Sequence, residues 1–322
     1  MKIDSQSTDQ VLQYYTGKRI LVTGASGYLA TNLIDALKDV NCTIIRLSRS
    51  DNSDICSIQT WDNVLEDIDV IFHFAAQTSV YVAEENPIDD LRINVVPMLN
   101  LLQTCRKKNV CPIVIFSGTV TQAGIPKNLP VNESCKDRPV TIYDLHKLIA
   151  EKYLKHYCQK AFVRGAILRL ANVYGPGPKS SSGDRGVINM MMRKALAGEP
   201  LTIYGKGDYL RDYIYVDDVI AAFLRTPIYI EQLNGKHFVL GSGQGHTITE
   251  AVNLIAERVG AKTKQQVEVK HIEPPTAQSP IEARNFVADT QLFAAATGWR
   301  AHYSLQKGID KTLDVFLKYD SD

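Results

Sequence analysis

The 322-residue chain has no Cys-x-x-Cys pair, no excess of either charge and no long apolar run, and each absence removes a class of function. Its six cysteines (Cys42, Cys56, Cys105, Cys111, Cys135 and Cys158) are scattered, which argues against a disulfide frame or a zinc site and fits reduced thiols. Lys and Arg number 36 against 35 Asp and Glu, a net charge of +1 with the signs interspersed, so no basic face is offered to nucleic acid or to a membrane surface. Any anion the protein binds must be held by a few local groups. No stretch approaches the roughly 18 apolar residues of a spanning helix, and residues 1–10 are polar with no apolar leader-like run. These features predict a cytoplasmic protein with neither nucleic acid nor a membrane among its partners, and no metal site.

What is present is alternation. From Lys18, short apolar runs (19–23, 43–47, 70–74, 112–117 and 165–170) exchange with helix-length amphipathic segments (28–38, 90–107 and 143–158). Such a pattern predicts βαβ units building a doubly wound parallel sheet, an α/β fold of the Rossmann-like kind. After Asn172 the texture changes to Gly175-Pro176-Gly177-Pro178, the polar stretch 180–183, shorter elements and a further polar stretch at 274–280. We therefore expect a dinucleotide-binding domain over 1–172, rejoined by about 212–241 through a strand at 236–240. A smaller, interrupted carboxy-terminal substrate lobe takes 173–211 and 242–322.

Directly after the first strand comes Thr23-Gly24-Ala25-Ser26-Gly27-Tyr28-Leu29-Ala30, which opens a helix. Glycines at 24 and 27 remove the β-carbons that would obstruct a tight turn and the approach of a pyrophosphate to the helix amino terminus, with Ser26, Tyr28 and Leu29 beside it. The second strand ends in Arg46-Leu47-Ser48-Arg49-Ser50. A carboxylate there would hydrogen-bond a ribose 2′-hydroxyl; a hydroxyl at Ser48 next to guanidiniums favours the 2′-phosphate of NADP(H), while the nearby Asp51 keeps NAD(H) open.

Tyr143 and Lys147 are four apart at the start of a predicted helix, hence on one face and one turn apart. A phenol titrates near 10 in isolation, and a neighbouring ammonium draws it toward the working range, where it can exchange a proton with a carbonyl or hydroxyl oxygen. The spacing alone is common, since Tyr14 with Lys18 and Tyr303 with Lys307 share it. Position singles out Tyr143, which follows the strand ending Phe116-Ser117-Gly118-Thr119, so that Thr119 can meet it at the sheet's carboxyl edge. Ser117 and Thr119 could equally cap a turn.

These motifs together resemble the extended short-chain dehydrogenase/reductases, specifically the NAD-dependent epimerase/dehydratase family, over nearly the whole chain. The resemblance implies Thr119, Tyr143 and Lys147 as the catalytic set, with Lys147 also on the nicotinamide ribose. It implies Asp54 and Ile55 at the adenine, Phe74, Ala75 and Ala76 as a small-residue turn over the cofactor, and Gln77 toward the substrate. Arg169-Leu170-Ala171-Asn172-Val173-Tyr174-Gly175-Pro176 resembles a family segment in which Asn172 would bind a nucleotide-diphosphate sugar. Arg211-Asp212-Tyr213-Ile214-Tyr215-Val216-Asp217-Asp218 implies Arg211 on a phosphate, with Arg284 as a second phosphate ligand. Members commonly pair as homodimers through a four-helix bundle, which the helices 90–107 and 143–158 would supply.

Two departures narrow the reaction. Ala123 stands where the family carries an aromatic, which predicts a wider or differently lined pocket. Val120-Thr121 stands where dehydratases carry an Asp-Glu pair, and neither residue can act as the acid or base of an elimination. A 4-ketoreductase, delivering hydride from NADPH to a nucleotide-linked 4-keto-6-deoxyhexose, is the favoured expectation. A 4-epimerase with retained NAD shares every catalytic residue, and a non-catalytic dinucleotide-binding sensor is a third reading.

Overall fold

The computed structural model describes residues 5–51, 53–178, 186–274 and 278–319, so the polar stretch 180–183 lies outside the described residues. The chain begins with helix α1 (Ser5–Gln13) and enters strand β1 (Arg19–Thr23), followed by α2 (Tyr28–Ala36), β2 (Thr43–Leu47), α3 (Ile58–Val64) and β3 (Val70–His73). Helices α4 (Val80–Glu85), α5 (Pro87–Asn94) and α6 (Val96–Lys108) lead to β4 (Ile113–Thr119), and α7 (Ile142–Gln159) to β5 (Arg164–Leu170). Next come β6 (Asn172–Tyr174), α8 (Val187–Leu196), β7 (Leu201–Tyr204), β8 (Leu210–Tyr215), α9 (Val216–Arg225) and β9 (His237–Leu240). Six strands form a wholly parallel sheet in the order β2-β1-β3-β4-β5-β9. Its central strands are buried on both faces, which is why they read as continuous apolar runs rather than alternating ones. One core lies on each face, around Ile20, Val22, Phe72 and Phe223 on one side and Leu21, Trp61, Ile71 and Phe116 on the other.

The chain order reverses between β1 and β3, and the crevice at the carboxyl ends of these strands is where an open α/β sheet takes its ligand. Strand β9, far along the chain, closes the sheet against β5. The remaining strands make two small satellites: β8 between β6 and β10 (Gly245–Thr247), and β7 beside β11 (Val269–Ile272).

Two elements differ from the sequence-based expectation. The single helix expected over 90–107 is two, α5 and α6, divided at Val95. Pro97 lacks an amide hydrogen, and its ring crowds the carbonyl four residues earlier, so the helix restarts there. Helix α1 was not anticipated; its alternation is weak, and its place is fixed by Tyr15 just beyond it, fully buried with its hydroxyl donating to the Leu224 carbonyl at 2.7 Å.

A buried ion cluster ties β4, β5 and α7 together beneath the crevice. Arg169 of β5 donates from Nε to Glu151 Oε2 at 2.9 Å and from Nη2 to Oε1 at 2.8 Å, and from Nη1 to Asp137 at 2.7 Å. Gln122 donates to Glu151 at 3.0 Å, and its Oε1 accepts the Thr119 amide at 3.1 Å. Burial opposes the Glu151 charge, yet Arg169 and Lys155 hold its carboxyl below the ordinary range. The cluster thereby pins the turn that follows β4.

Removing Arg169 takes the bidentate partner from the fully buried Glu151. Arg169→Leu is expected to lower folding stability by about 3–5 kcal/mol, read as a shift in the urea midpoint at unchanged slope; a loss below about 1 kcal/mol would show the cluster to be dispensable.

Candidate active site

Strand β1 ends in a turn that only glycine accommodates. Gly24 has φ +64, and a β-carbon there would sit 2.9 Å from both the amide nitrogen and Cα of Ala75 at the end of β3. The turn delivers the chain into α2, whose N-cap Gly27 offers no side-chain acceptor. The first intrahelical bond is Thr31 N–H to Gly27 O, so the amides of Tyr28, Leu29 and Ala30 lack partners within the helix and stand at its positive end.

These residues line a cavity of about 1030 Å³, which runs from the glycine turn past the ends of β2, β3 and β4 to α7 and α8. Gly24, Ser26, Gly27, Tyr28, Leu29, Ser48, Arg49, Asp54, Ile55, Phe74, Ala75, Ala76, Tyr143 and Lys147 all line it, the whole cofactor set expected from the sequence. At one end Ser48 hydrogen-bonds Ser50 at 2.5 Å, and Arg49 faces the space. Arg46, the other guanidinium beside Ser48, is exposed on the strand and does not line the cavity, so one guanidinium serves that end rather than two. The cavity is long, polar at the helix amino terminus and apolar along Leu47, Ile55 and Phe74, a donor set and shape that suit a dinucleotide.

At the other end, α7 carries Tyr143 and Lys147 into the same cavity, both nearly fully buried. Thr141 caps the helix, its hydroxyl accepting the Asp144 amide at 3.2 Å, which fixes where the helix starts and hence where Tyr143 points. Lys147 Nζ lies 4.1 Å from the Phe116 ring centroid. His73, at the end of β3, is buried, and burial together with the Lys147 charge lowers its pKa to about 3. Its ring pairs with Thr23 at 3.0 Å, and Thr23 accepts the Ala75 amide at 3.1 Å, so a neutral imidazole braces the turn under the cavity.

The residues expected to meet substrate are placed apart from this cavity. Of the two hydroxyls at the end of β4, Ser117 lines it, whereas Thr119, on the same face one step further along, bonds Thr121 at 2.8 Å and caps the turn Val120–Ala123. Gln77 donates to the Ser79 carbonyl at 2.8 Å and to Asp90 at 2.7 Å, and accepts the Ser79 amide, so its amide group is engaged in holding the turn after β3. Ala123 is buried in the core. Asn172 opens β6, half-buried and in register with Tyr213. Arg211 and Arg284 are both buried and adjacent: Arg211 donates to the Arg284 carbonyl at 2.5 Å and to the Glu282 carbonyl at 2.7 Å. Arg284 Nε has no partner among the described residues, and burial plus the Arg211 charge lowers its pKa to about 10. A guanidinium desolvated beside another is stabilised by an anion.

Sequence reasoning missed the wall supplied by α8: Asn189, Met190, Arg193 and Lys194 line the cavity with Gly177 and Pro178. Asn189 accepts the Gly175 amide at 3.0 Å, and the Arg193 guanidinium lies 3.8 Å from the Phe316 ring centroid. The only available signal was the spacing of four between Asn189 and Arg193, which puts them on one helical face. Among the described residues no group of three or more His, Cys, Asp or Glu is placed to hold a metal ion, and no helix is long and apolar enough to cross a membrane.

Fold and site together define a Rossmann-like α/β protein with a glycine turn and a Tyr-Lys pair on one cavity. Residues 20–241 match the model of the NAD dependent epimerase/dehydratase family, and the chain belongs to that family. It is 30% identical over 318 residues to a UDP-glucose 4-epimerase of Mycolicibacterium smegmatis, covering 92% of this chain and 98% of that one. Among solved structures, it resembles the UDP-glucose 4-epimerase of Thermotoga maritima with UDP-glucose, at TM-score 0.81 and 28% identity, over 94% of this chain and 99% of that one. It also resembles the Thermus thermophilus UDP-glucose 4-epimerase complexed with NAD, at TM-score 0.79 and 27% identity, over 93% and 99% of the two chains.

Because His73 is neutral when folded and titrates near 6.5 when unfolded, acid favours the unfolded chain: stability is fully present above about 6.5 and falls as the pH drops toward about 3. The contribution is on the order of 5 kcal/mol across that window. His73→Asn is expected to flatten this part of the stability–pH curve, measured by urea unfolding at several pH values; an unchanged curve would show the imidazole to be no part of the acid sensitivity.

Proposed function

We propose that the protein is a nucleotide-sugar 4-epimerase that uses a nicotinamide dinucleotide. The observation that carries the reading is that Tyr143 and Lys147 line the same cavity as the Gly24–Gly27 turn; outside that lining, the buried Arg284 acts by its charge on Asp144, the residue after Tyr143. The UDP-glucose 4-epimerases among its relatives, aligned over nearly their full length, support the epimerase over the ketoreductase that the sequence alone favoured, and make a UDP-hexose the first substrate to try.

When bound, the dinucleotide supplies the site that takes and returns hydride. The chain's own groups do the rest. The amides opening α2 receive the pyrophosphate, Ser48 and Arg49 the adenosine ribose, and Asp54 and Ile55 the adenine. Lys147, packed against Phe116, lies one helical turn from Tyr143, and Tyr143 Oη takes the proton of the sugar 4-hydroxyl and gives it back. Arg211 and Arg284 hold the diphosphate with Asn172, so that residues 173–211 and 242–322 form the substrate lobe. That anchor lets the sugar turn while the nucleotide stays. The α7 face bearing Leu148, Ile149, Tyr153 and His156 forms a shallow apolar groove, and with α6 it is the surface on which a second copy would pack.

A second reading, reduction of a 4-keto sugar by NADPH, is favoured by one observation: Ser48 and Arg49 line the cavity directly at the end of β2, with the lining carboxylate of Asp54 further along the chain. Purified protein given UDP-glucose is expected to form UDP-galactose without net change in nicotinamide absorbance. Stoichiometric oxidation of NADPH by a UDP-4-keto-6-deoxyhexose, with no epimerisation, would decide for the reductase.

Tyr143→Phe is expected to fold and bind cofactor but lose about 10²–10⁴-fold in kcat; near-normal turnover removes the phenol from the chemistry. Arg49→Ala should weaken NADPH far more than NADH in a fluorescence titration, and an equal loss for both would remove Arg49 from cofactor choice.

A further inference from the structure

Past β6 the chain runs through Gly175-Pro176-Gly177-Pro178, and the carbonyls of 175, 176 and 177 are each taken by a side chain. Tyr28 Oη of α2 donates to Gly175 O at 3.0 Å, Asn32 of α2 to Pro176 O at 3.2 Å, and Arg193 of α8 to Gly177 O at 3.4 Å. Gly177 lies so close to the Tyr28 ring that a β-carbon there would stand 2.5 Å from its Cδ2. This strap fastens α8 to the first turn of α2, and Arg193 lines the same cavity as the Gly24–Gly27 turn.

A pyrophosphate carries a negative charge on each phosphate, whereas the amino terminus of a helix offers roughly half a positive charge. In a chain of net charge +1 no broad field makes up the difference. The cations lining the cavity, among the described residues, are Arg49, Lys147, Arg193 and Lys194. Arg49 follows β2 and Lys147 packs on Phe116, at the ends assigned to the adenosine and to the reacting ring, so the middle falls to α8. Of the two cations there, Arg193 is the one tied through the strap to Tyr28, whose amide opens α2. We propose that Arg193 is a further cofactor-binding residue: its guanidinium closes on the dinucleotide's pyrophosphate from the α8 wall while the amides of α2 receive it at the glycine turn. This deepens the reading of the cavity as a dinucleotide site and rests on it. Helix α8 belongs to the part of the chain assigned to the substrate lobe, so both lobes then hold the cofactor, which suits an epimerase that keeps it through each turnover.

The competing account is that Arg193 only ties α8 to the carboxy-terminal helix Leu305–Tyr319, through the Phe316 ring centroid 3.8 Å away. An apolar side chain would cover that ring as well, without desolvating a charge. Among the described residues, the contacts of the guanidinium are that ring and one carbonyl, so most of its N–H donors remain for a ligand. Neither carboxylate of the lining, Asp54 or Glu199, pairs with it. A planar fork of N–H groups matches the oxygens of a phosphate.

Binding to the full-length protein tests this without turnover. Arg193→Met keeps an apolar stem and a polarisable end against Phe316 but removes the charge. It is expected to weaken ADP-ribose, measured by calorimetry, and NADH, measured by fluorescence, by about 10–100-fold, with Arg193→Lys recovering a good part. Adenosine, which has no phosphate, should bind wild type and Arg193→Met alike in saturation-transfer NMR, and the urea midpoint should not move. Lys194→Met should lose clearly less ADP-ribose affinity than Arg193→Met. Unchanged ADP-ribose binding in Arg193→Met, an equal loss for adenosine, or an equal loss in Lys194→Met overturns the proposal. A lowered urea midpoint with ADP-ribose binding intact decides for the tie to Phe316 instead. A wild type that binds ADP-ribose but converts no nucleotide sugar sinks the 4-epimerase reading alone, and the titrations still decide on Arg193.

Discussion

Burying the Lys147 ammonium against the Phe116 ring is the constraint on which the rest of the site depends. An ammonium 3% exposed is held at substantial electrostatic cost, and the protein arranges its surroundings to bear it. His73 stays neutral next to it, and Thr141 fixes the first turn of the helix that carries it. One turn beyond Lys147 on the same helix, Glu151 meets Arg169 and locks α7 to β5. A charge so confined is little screened by water, and Tyr143 stands one helical turn away from it.

A protein of almost zero net charge has no broad positive field, and its inward-facing donors are gathered in two places. At α2 the donors are backbone amides, which cost no charge, and the turn that presents them demands glycine at 24 and 27, where a β-carbon would meet the backbone of Ala75 and of Gly24. Near Arg211 and Arg284 the donors are buried guanidiniums held by carbonyl oxygens. Those carbonyls orient the side chains, and one carboxylate, Glu282, lies 3.5 Å from the Arg211 guanidinium, so two buried positive charges share it.

Much of this was legible in the sequence, for identifiable reasons. The five apolar runs are strands because a sheet covered on both faces admits no alternation, and the glycine turn could be read because a positive φ at 24 and a close contact with Ala75 exclude other residues. Tyr143 and Lys147 line one cavity because one helix carries both, and their place after β4, rather than their spacing, separated them from the other two Tyr–Lys pairs. What resisted reading depends on contacts between distant segments. The break at Val95 is local, but α1 is placed by Tyr15 reaching Leu224, and the α8 wall matters only because the chain returns across the cavity mouth. Gln77 could be located but not its partners, since Asp90 meets it only once α5 has docked. The chemistry of Thr119 was similarly split: its position at a strand end is local, whereas its tie to Asp144 joins two elements that no spacing rule connects.

Strand β9 bears on how the chain is made. Residues 237–240 supply the last partner of β5, yet they leave the ribosome only after β6, β7, β8 and α9. At about 5–20 residues per second, the apolar edge of β5 stands open for several seconds during synthesis, a template for a neighbouring nascent chain. A polypeptide ending soon after β5 keeps that edge for good, so the first five strands are poorly suited to a separate life, and premature termination in this interval yields a sticky fragment rather than a smaller working protein.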